Sequence, residues 1–169
     1  MRGAANYIKS TGKQDLVCAE IGVRLGENAV DMLCGLPIKT LSLVDPYVQY
    51  FDYTFFLDQE CQDAYYMEML KNIEAHTPRV TIYKETSENA SKKFADNSLD
   101  FVYIDGCHSV NAVSLDLSCW WRTIKQNGFL CGHDFWFAGV RAALHPFVAS
   151  RAKSITVFND SDWLITKEL

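Results

Sequence analysis

The stretch Glu20-Ile21-Gly22-Val23-Arg24-Leu25-Gly26 directly overlaps the end of an apolar run, Leu16 to Ile21. Such a near-continuous apolar run is typical of a strand that is buried on both faces of a parallel sheet. The two glycines predict a turn into a helix from about Glu27 to Leu36, and Pro37 ends that helix because proline lacks the backbone N–H a helix needs. This strand–turn–helix unit predicts an α/β fold.

The rest of the chain repeats the alternation of short apolar runs with longer amphipathic stretches, which indicates a parallel sheet with crossover helices. Further strands are predicted at Thr40 to Val44, Val80 to Tyr83, Phe101 to Ile104 and Phe129 to Gly132. Further helices are predicted at Gln59 to Ala75, Ser87 to Phe94, Val110 to Lys125 and Gly139 to Ser150, with Asn127-Gly128 as a C-cap. Ile155 to Phe158 and Trp163 to Thr166 are predicted to form a closing hairpin.

Length and charge limit the classes of function. The chain has 169 residues, which predicts one domain over 1–169. Its 16 Lys and Arg against 21 Asp and Glu give a net charge of -5, which argues against a nucleic-acid partner. No stretch has the apolar length of a membrane span or of a signal peptide, so we expect no membrane association and a cytoplasmic location.

The six cysteines show no C-x-x-C pair, so a zinc ribbon or a thioredoxin-type site is not expected. Several lie in apolar runs, as Cys18 and Cys131 do. We therefore predict buried free thiols in a reducing compartment.

Polar residues collect where the predicted strands end. In open α/β sheets, ligands bind in the crevice outside the carboxyl ends of the strands. Five residues fall on that rim: Glu20, Gly22, Asp45, Asp105 and Asp134.

The first turn indicates which ligand the crevice takes. A dinucleotide-binding turn would read G-x-G-x-x-G, but Glu20 stands where the first glycine would be. A carboxylate there repels a pyrophosphate and suits the sulfonium and ammonium groups of S-adenosylmethionine. Gly22 and Gly26 still let the backbone approach a ligand closely, and Asp45, at the end of the second strand, suits the hydroxyls of a ribose.

These segments resemble class I methyltransferases. Glu20-x-Gly22-x-x-x-Gly26 and Val44-Asp45-Pro46-Tyr47 are similar to their first two motifs, and three later segments resemble the branch known as methyltransferase domain 24: Ser87 to Ala90, Asp100 to Ser109, and Asn127 to Phe135. The resemblance runs from about residue 15 to the end and includes Asp116 and the helix beginning at Gly139.

The resemblance implies a Rossmann-like three-layer sandwich with a mostly parallel seven-stranded sheet and an antiparallel C-terminal strand. It also implies a cofactor site in which Ser87 borders the adenine, while Glu20, Gly22 and Asp45 hold the methionine and ribose ends. Asp105 is counted among the residues at the cofactor.

The acceptor site is predicted at Asp105, His108, His133 and Asp134. In one interpretation Asp105 and Asp134 bind a divalent metal, as similarly placed acids do in catechol-type O-methyltransferases, with a histidine replacing the amide ligand that Phe135 cannot supply. In the other, His108 or His133 is a metal-free general base. In a purely structural interpretation, Asp105 is a cap and His133 a strand-end residue.

Tyr47 to Phe56 is unusually aromatic and follows the second strand. It can form a lid over the crevice, a homodimer surface, or ordinary packing on the sheet. Of the tryptophans, Trp120 or Trp121 is predicted to pack on the sheet, and Trp136 to line the acceptor pocket.

Together these features predict a methyltransferase that passes the methyl group of S-adenosylmethionine to a small-molecule acceptor, with a hydroxyl group, of a sugar or related metabolite, as the expected target. Two alternatives remain from the sequence: a nicotinamide-dependent oxidoreductase, and a non-catalytic protein that binds S-adenosylmethionine.

Overall fold

The structure, a computed structural model, describes residues 1–52, 55–152 and 154–168. Its helices are α1 (Gly3–Ser10), α2 (Glu27–Gly35), α3 (Gln59–Asn72), α4 (Ser87–Ser91), α5 (Val110–Trp121) and α6 (Ala138–Arg151), with a 3-10 helix at Glu74–Arg79. Its strands are β1 (Leu16–Ile21), β2 (Ile38–Val44), β3 (Tyr50–Asp52), β4 (Phe55–Leu57), β5 (Val80–Tyr83), β6 (Leu99–Ile104), β7 (Ile124–Gly132), β8 (Thr156–Val157) and β9 (Trp163–Thr166).

Seven strands form one sheet in the order β5-β2-β1-β6-β7-β9-β8. The first five are mutually parallel, and β9 pairs antiparallel with both β7 and β8. The predicted mostly parallel, seven-stranded sheet with an antiparallel C-terminal strand is therefore confirmed.

Helices cover both faces of this sheet. One buried cluster joins sheet residues such as Leu41 and Phe101 to Ile8 of α1, Met32 of α2 and Met69 of α3. A second cluster joins the opposite face to α4, α5 and α6, and it includes the fully buried Trp120. The fold is thus the predicted three-layer Rossmann-like sandwich, and the prediction that one of the paired tryptophans packs on the sheet is confirmed.

Two predicted features of the chain are wrong in detail. Helix α5 ends at Trp121 rather than at Lys125, and Asn127-Gly128 lies within β7 instead of capping the helix. Asn127 has a φ of 59°, its N–H donates to the Lys167 carbonyl, and the Gly128 carbonyl accepts from the Lys167 N–H. These two residues are therefore an irregularity in the strand. Helix α1 was not predicted, although Ala4, Ala5 and Ile8 recur at helical spacing and bury one face of it.

All six cysteines are free thiols. Cys18 and Cys131 are buried as predicted, but Cys34 and Cys61 are exposed, so the prediction of burial is wrong for these two. Within the described residues, no helix combines the length and the apolar character that crossing a bilayer requires.

Candidate functional site

The turn after β1 holds its glycines in conformations that other residues rarely adopt. Gly22 has a φ of 81° and Gly26 a φ of 76°. The Gly22 N–H donates to the Val44 carbonyl at 2.9 Å, and a Cβ at Gly22 would overlap the backbone carbonyl of Asp105. The glycine is required because the ends of β1 and β6 touch here, which brings Glu20 and Asp105 to one crevice.

Glu20 is a buried acid at the end of β1, with 1% of its surface exposed. Its Oε1 accepts a hydrogen bond from Asn28 Nδ2 at 2.8 Å, whereas Oε2 has no partner among the described residues. Burial raises the pKa of Glu20 to about 8, against the lowering effect of the Asn28 hydrogen bond. A buried carboxylate oxygen without a donor is costly, and a cationic ligand would supply the missing partner.

Asp45 follows β2 and binds the glycine turn. Its Oδ2 accepts from the N–H groups of Val23 at 2.9 Å and Arg24 at 3.1 Å, and its Oδ1 accepts from the Tyr47 N–H at 2.9 Å. The carboxylate therefore fixes the turn. Because each oxygen has two lone pairs, Oδ2 is fully used and Oδ1 keeps one acceptor site for a ribose hydroxyl. The predicted ribose contact stays a prediction.

Ser87, the first residue of α4, belongs to a hydrogen-bonded chain beneath the crevice. Its Oγ accepts from Trp120 Nε1 at 2.8 Å and is hydrogen-bonded to the carboxylate of Asp116. Burial raises the pKa of Asp116 to about 6, although the Ser87 hydrogen bond lowers it. The adenine-side role of Ser87 stays a prediction, but its hydroxyl is held in one orientation.

His108, in the loop after β6, lies between two carboxylates. Its Nδ1 is 2.6 Å from Asp52 Oδ2 and its Nε2 is 2.6 Å from Asp134 Oδ2, while the ring stacks on Phe137. Burial opposes the charged form, but the hydrogen bonds to Asp134 and Asp52 raise the pKa of His108 to about 9. A carboxylate at each ring nitrogen favours the doubly protonated, positively charged form of His108.

His133 and Asp134 follow β7 and face the same cluster. His133 Nε2 donates to the Asp160 carbonyl at 2.9 Å, and its Nδ1 is 3.1 Å from Asp134 Oδ1. The hydrogen bond to Asp134 raises the pKa of His133 against the effect of burial. Asp134 has a φ of 59°, and its two histidine partners hold its pKa well below the usual range although burial opposes this.

Asp105, after β6, is paired with an arginine that the sequence did not indicate. Arg2 Nη1 lies 2.6 Å from Asp105 Oδ2, and His133 Nδ1 lies 4.0 Å from Asp105 Oδ1. Asp105 is thus an ion-pair partner at the centre of the crevice, which differs from the purely structural interpretation of a helix cap. The cap of α5 is Ser109, whose Oγ accepts from the Ala112 N–H.

The structure therefore brings Asp105, His108, His133 and Asp134 together as the sequence predicted. Ligand atoms of Asp105, His108 and Asp134 all lie within 4.8 Å of one another, close enough to hold one metal ion. His108 also lines a cavity of about 290 Å³ with Ser109, Val110 and Gly139.

The aromatic segment divides between core and surface. Tyr47 is buried, and its ring packs on Tyr66 at 5.0 Å, as in the packing interpretation. Phe51 and Phe56, on the paired strands β3 and β4, are 71% and 50% exposed and contact each other at 4.7 Å. Tyr53 and Thr54, also in this segment, lie outside the described residues.

Sequence reasoning missed Asp52 and Arg2. Asp52 sits in β3, within the segment that was singled out for its aromatic residues rather than its acid. Trp136 is 59% exposed two residues beyond Asp134, so its predicted place at the acceptor pocket stays open.

Solved structures share this fold. A candidate S-adenosyl-L-methionine-dependent methyltransferase from Methanococcus maripaludis is 15% identical, with a TM-score of 0.68 over 98% of this chain and 83% of that one. A candidate rRNA methylase from Clostridium thermocellum is 14% identical, with a TM-score of 0.69 over 98% of this chain and 95% of that one. The precorrin-6y C5,15-methyltransferase from Geobacter metallireducens is 14% identical, with a TM-score of 0.65 over 91% of this chain and 81% of that one.

A search of curated proteins finds no match. The family model described as a methyltransferase domain matches residues 19–135, which include the end of β1, the glycine turn and all four predicted acceptor-site residues. The match covers more than half of the chain, and the matched segment contains the glycine turn and the acids of the crevice described above. The chain therefore belongs to the methyltransferase domain family and is an S-adenosylmethionine-dependent enzyme of the class I fold.

Proposed function

We propose that this methyltransferase acts on a hydroxyl group of a small molecule, such as a sugar or a related metabolite. The observation that carries the proposal is the position of His108, which joins two carboxylates beside an open cavity of about 290 Å³. That volume is at the lower end of small-molecule pockets. The net charge of -5 also favours a small molecule over a nucleic-acid acceptor.

For the cofactor, we propose contacts along the rim from β2 to β6. The buried Oε2 of Glu20 fits a positively charged ligand because it lacks any donor among the described residues. Gly22 and Gly26 shape the turn, Asp45 faces the ribose and Ser87 the adenine, while Asp105 lies near the methionine end. When bound, S-adenosylmethionine supplies an electrophilic methyl group on its sulfonium.

For the acceptor, we propose that His108 is the general base. Its Nδ1 proton is held by Asp52 at 2.6 Å, which orients the ring and stabilises its charged form. For Nε2 to act as a base it must first lose the proton that it shares with Asp134. We propose that this proton passes to solvent when the acceptor displaces Asp134, and that the neutral Nε2 then takes the proton of the acceptor hydroxyl. Asp134 and His133 would then orient the acceptor, and the stacked Phe137 would keep the His108 ring in place.

A metal-assisted variant is favoured by a separate observation, the approach of Asp105, His108 and Asp134 within 4.8 Å. Two carboxylates and one imidazole suit manganese, iron or zinc better than magnesium. Such an ion would lower the pKa of the acceptor hydroxyl. Against it, Arg2 already neutralises Asp105 at 2.6 Å, so a metal would have to compete with the guanidinium.

The test follows an isotopically labelled methyl group from S-adenosylmethionine into a panel of monosaccharides and phenols, with the matching amines and an RNA transcript as alternatives. We expect an O-methyl product. We also expect Asp52→Asn to slow its formation about 10- to 100-fold, less than the about 10²- to 10⁴-fold that a general base itself contributes, because Asp52 only orients the His108 ring. Labelling of only the amines or the RNA would contradict the proposal.

The metal-assisted mechanism is distinguished from the metal-free mechanism by treating the enzyme with EDTA and then adding back Mn²⁺ or Mg²⁺. Activity that survives EDTA supports His108 as the base, and activity that depends on Mn²⁺ supports the three-residue metal site.

A homodimer and a cytoplasmic location remain predictions, with the exposed Phe51–Phe56 pair as the surface on which a dimer would form.

A further inference from the structure

Arg2 places a cation in the crevice from outside the segment that the family model matches. Its Nη1 lies 2.6 Å from Asp105 Oδ2 and 3.1 Å from the Tyr103 hydroxyl, and its side chain is 32% exposed. The guanidinium is therefore half-buried at the carboxyl end of β6. No step of the proposed acceptor chemistry uses it.

The chain holds this arginine in place with two anchors. The N–H groups of Gly3 and Ala4, at the start of α1, donate to Asp160 Oδ2 at 2.5 Å and to Asp162 Oδ2 at 2.8 Å. Asp162 is fully buried, and its Oδ1 accepts from the Tyr103 hydroxyl at 2.5 Å. Arg2 is thus fixed by a built network rather than lying on the surface by chance.

Most of the guanidinium donors remain available. A guanidinium carries five N–H groups in a planar fork, and the hydrogen bonds of Arg2 to Tyr103 and Asp105 both use Nη1. Over the residues that the structure describes, Nε and Nη2 donate to nothing. An arginine edge with two parallel N–H groups matches a carboxylate bidentately.

Glu20 lies next to this arginine on the sheet. Glu20 of β1 is the register partner of Tyr103 of β6, so both side chains project from the same face, and Arg2 contacts Tyr103. The positive charge of Arg2 acts on the Glu20 carboxyl group. The crevice therefore sets an unpartnered carboxylate oxygen beside an arginine with spare donors, and a zwitterionic amino-acid group carries the two complementary charges.

We propose that Arg2 binds the α-carboxylate of the amino-acid end of S-adenosylmethionine while Glu20 binds its ammonium group. This inference rests on the proposed cofactor placement and adds the residue that recognises the anionic group. Asp105, Tyr103 and Asp162 act as positioning residues, because they hold Nη1 and leave the other edge of the fork for the ligand.

Calorimetry with two ligands tests the assignment. S-adenosylhomocysteine and its decarboxylated analogue share the adenosine, the thioether and the amine, and they differ in the carboxylate alone. We expect the wild-type protein to bind S-adenosylhomocysteine about 10- to 100-fold more tightly, the range for a charge-assisted hydrogen-bonded pair. In Arg2→Gln that preference should disappear through weaker binding of S-adenosylhomocysteine, with the analogue unchanged.

Two further variants make the result specific. Arg2→Lys keeps the charge but loses the fork, so part of the preference for S-adenosylhomocysteine over the decarboxylated analogue should remain. If Arg2→Gln lowers the urea midpoint of unfolding, Arg2→Lys replaces it in the titrations. Arg151→Gln, at the exposed C-terminal end of α6, is the matched control and should bind both ligands as the wild type does.

Equal weakening of both ligands in Arg2→Gln, or an unchanged preference, would overturn the assignment of Arg2 while leaving the cofactor site intact. Failure of the wild-type protein to bind either ligand would overturn the proposed cofactor placement itself, and the inference with it. The two failures are therefore distinguishable in one set of titrations.

Discussion

The carboxylate of Glu20 is bound on one side only: Oε1 accepts from Asn28 Nδ2 at 2.8 Å, and Oε2 has no partner among the described residues. Glu20 is 1% exposed, so bulk solvent does not reach the carboxylate. The site thus carries an electrostatic cost until a positive ligand arrives. Strain of this kind at a functional site is tolerated because the remaining fold compensates for it.

The first prediction concerns stability and pH. Burial raises the pKa of Glu20 to about 8 from the ordinary 4.5. Stability associated with protonated Glu20 is therefore fully present below pH 4.5 and is lost as pH rises through about 8, by a few kcal/mol at about 1.4 kcal/mol per pKa unit. Glu20→Gln should lack this loss, as urea unfolding at pH 5 and at pH 8.5 would measure.

The comparison uses the difference between wild type and variant at each pH, because other groups titrate equally in both. Glu68→Gln, an exposed acid of α3 paired with Lys71, serves as the control and should follow the wild type. A wild-type protein whose stability relative to Glu20→Gln is constant over this range would contradict the burial argument.

The second prediction concerns protons released on binding. A cation that reaches Oε2 favours the ionised form of Glu20, so cofactor binding near pH 7 should release up to about one proton. Titrations of S-adenosylhomocysteine in phosphate and in Tris, whose ionisation enthalpies differ, would reveal this as buffer-dependent heat. The dependence should vanish in Glu20→Gln, and its persistence there would assign the proton to another group.

The third prediction concerns the glycine turn. Gly22→Ala forces a Cβ into the backbone carbonyl of Asp105 at a φ of 81°, which should lower the free energy of unfolding by about 2–5 kcal/mol. Gly12 has a φ of 73° with nothing within 4 Å of an added Cβ. Gly12→Ala should therefore cost only about 1–2 kcal/mol, and equal costs in urea unfolding would refute the close approach of β1 and β6.

The fourth prediction concerns His108, whose pKa the two carboxylates raise to about 9 despite burial. Its contribution to stability is full below about pH 6.5, its ordinary pKa, and is lost as pH rises through 9. Nitrogen-15 NMR of the ring should show the imidazolium form at pH 7.5. Asp52→Asn should lower that pKa by about 1–2 units.

Asp96→Asn provides the reference for this titration, because Asp96 is exposed and pairs with Arg122 rather than with His108. An unchanged His108 titration in Asp52→Asn would show that Asp52 does not orient the ring in solution. A neutral imidazole at pH 7.5 in the wild type would contradict the double carboxylate contact.

Much of the fold follows from local sequence. The apolar strands and the acids at their ends are short-range patterns, which is why Glu20, Asp45, Asp105 and Asp134 could be placed at one edge of the sheet. The prediction at Asn127-Gly128 was wrong because the same dipeptide occurs both at helix ends and at strand irregularities. The backbone hydrogen bonds to Lys167 select the strand irregularity.

The missing parts of the site depend on contacts between distant residues. Arg2 meets Asp105 103 positions away, and Asp52 meets His108 56 positions away. No spacing rule connects such pairs, and neither residue lies in a motif. The charge state of His108 was also out of reach, since it depends on having a carboxylate at each ring nitrogen.

The most direct test of the account is calorimetric titration of the folded wild-type protein with S-adenosylmethionine and S-adenosylhomocysteine, at two temperatures so that a vanishing enthalpy does not hide binding. The account predicts one-to-one binding of both, with a dissociation constant of about 1–100 μM or lower, and no binding of NAD. No heat from either adenosine ligand at both temperatures would contradict it.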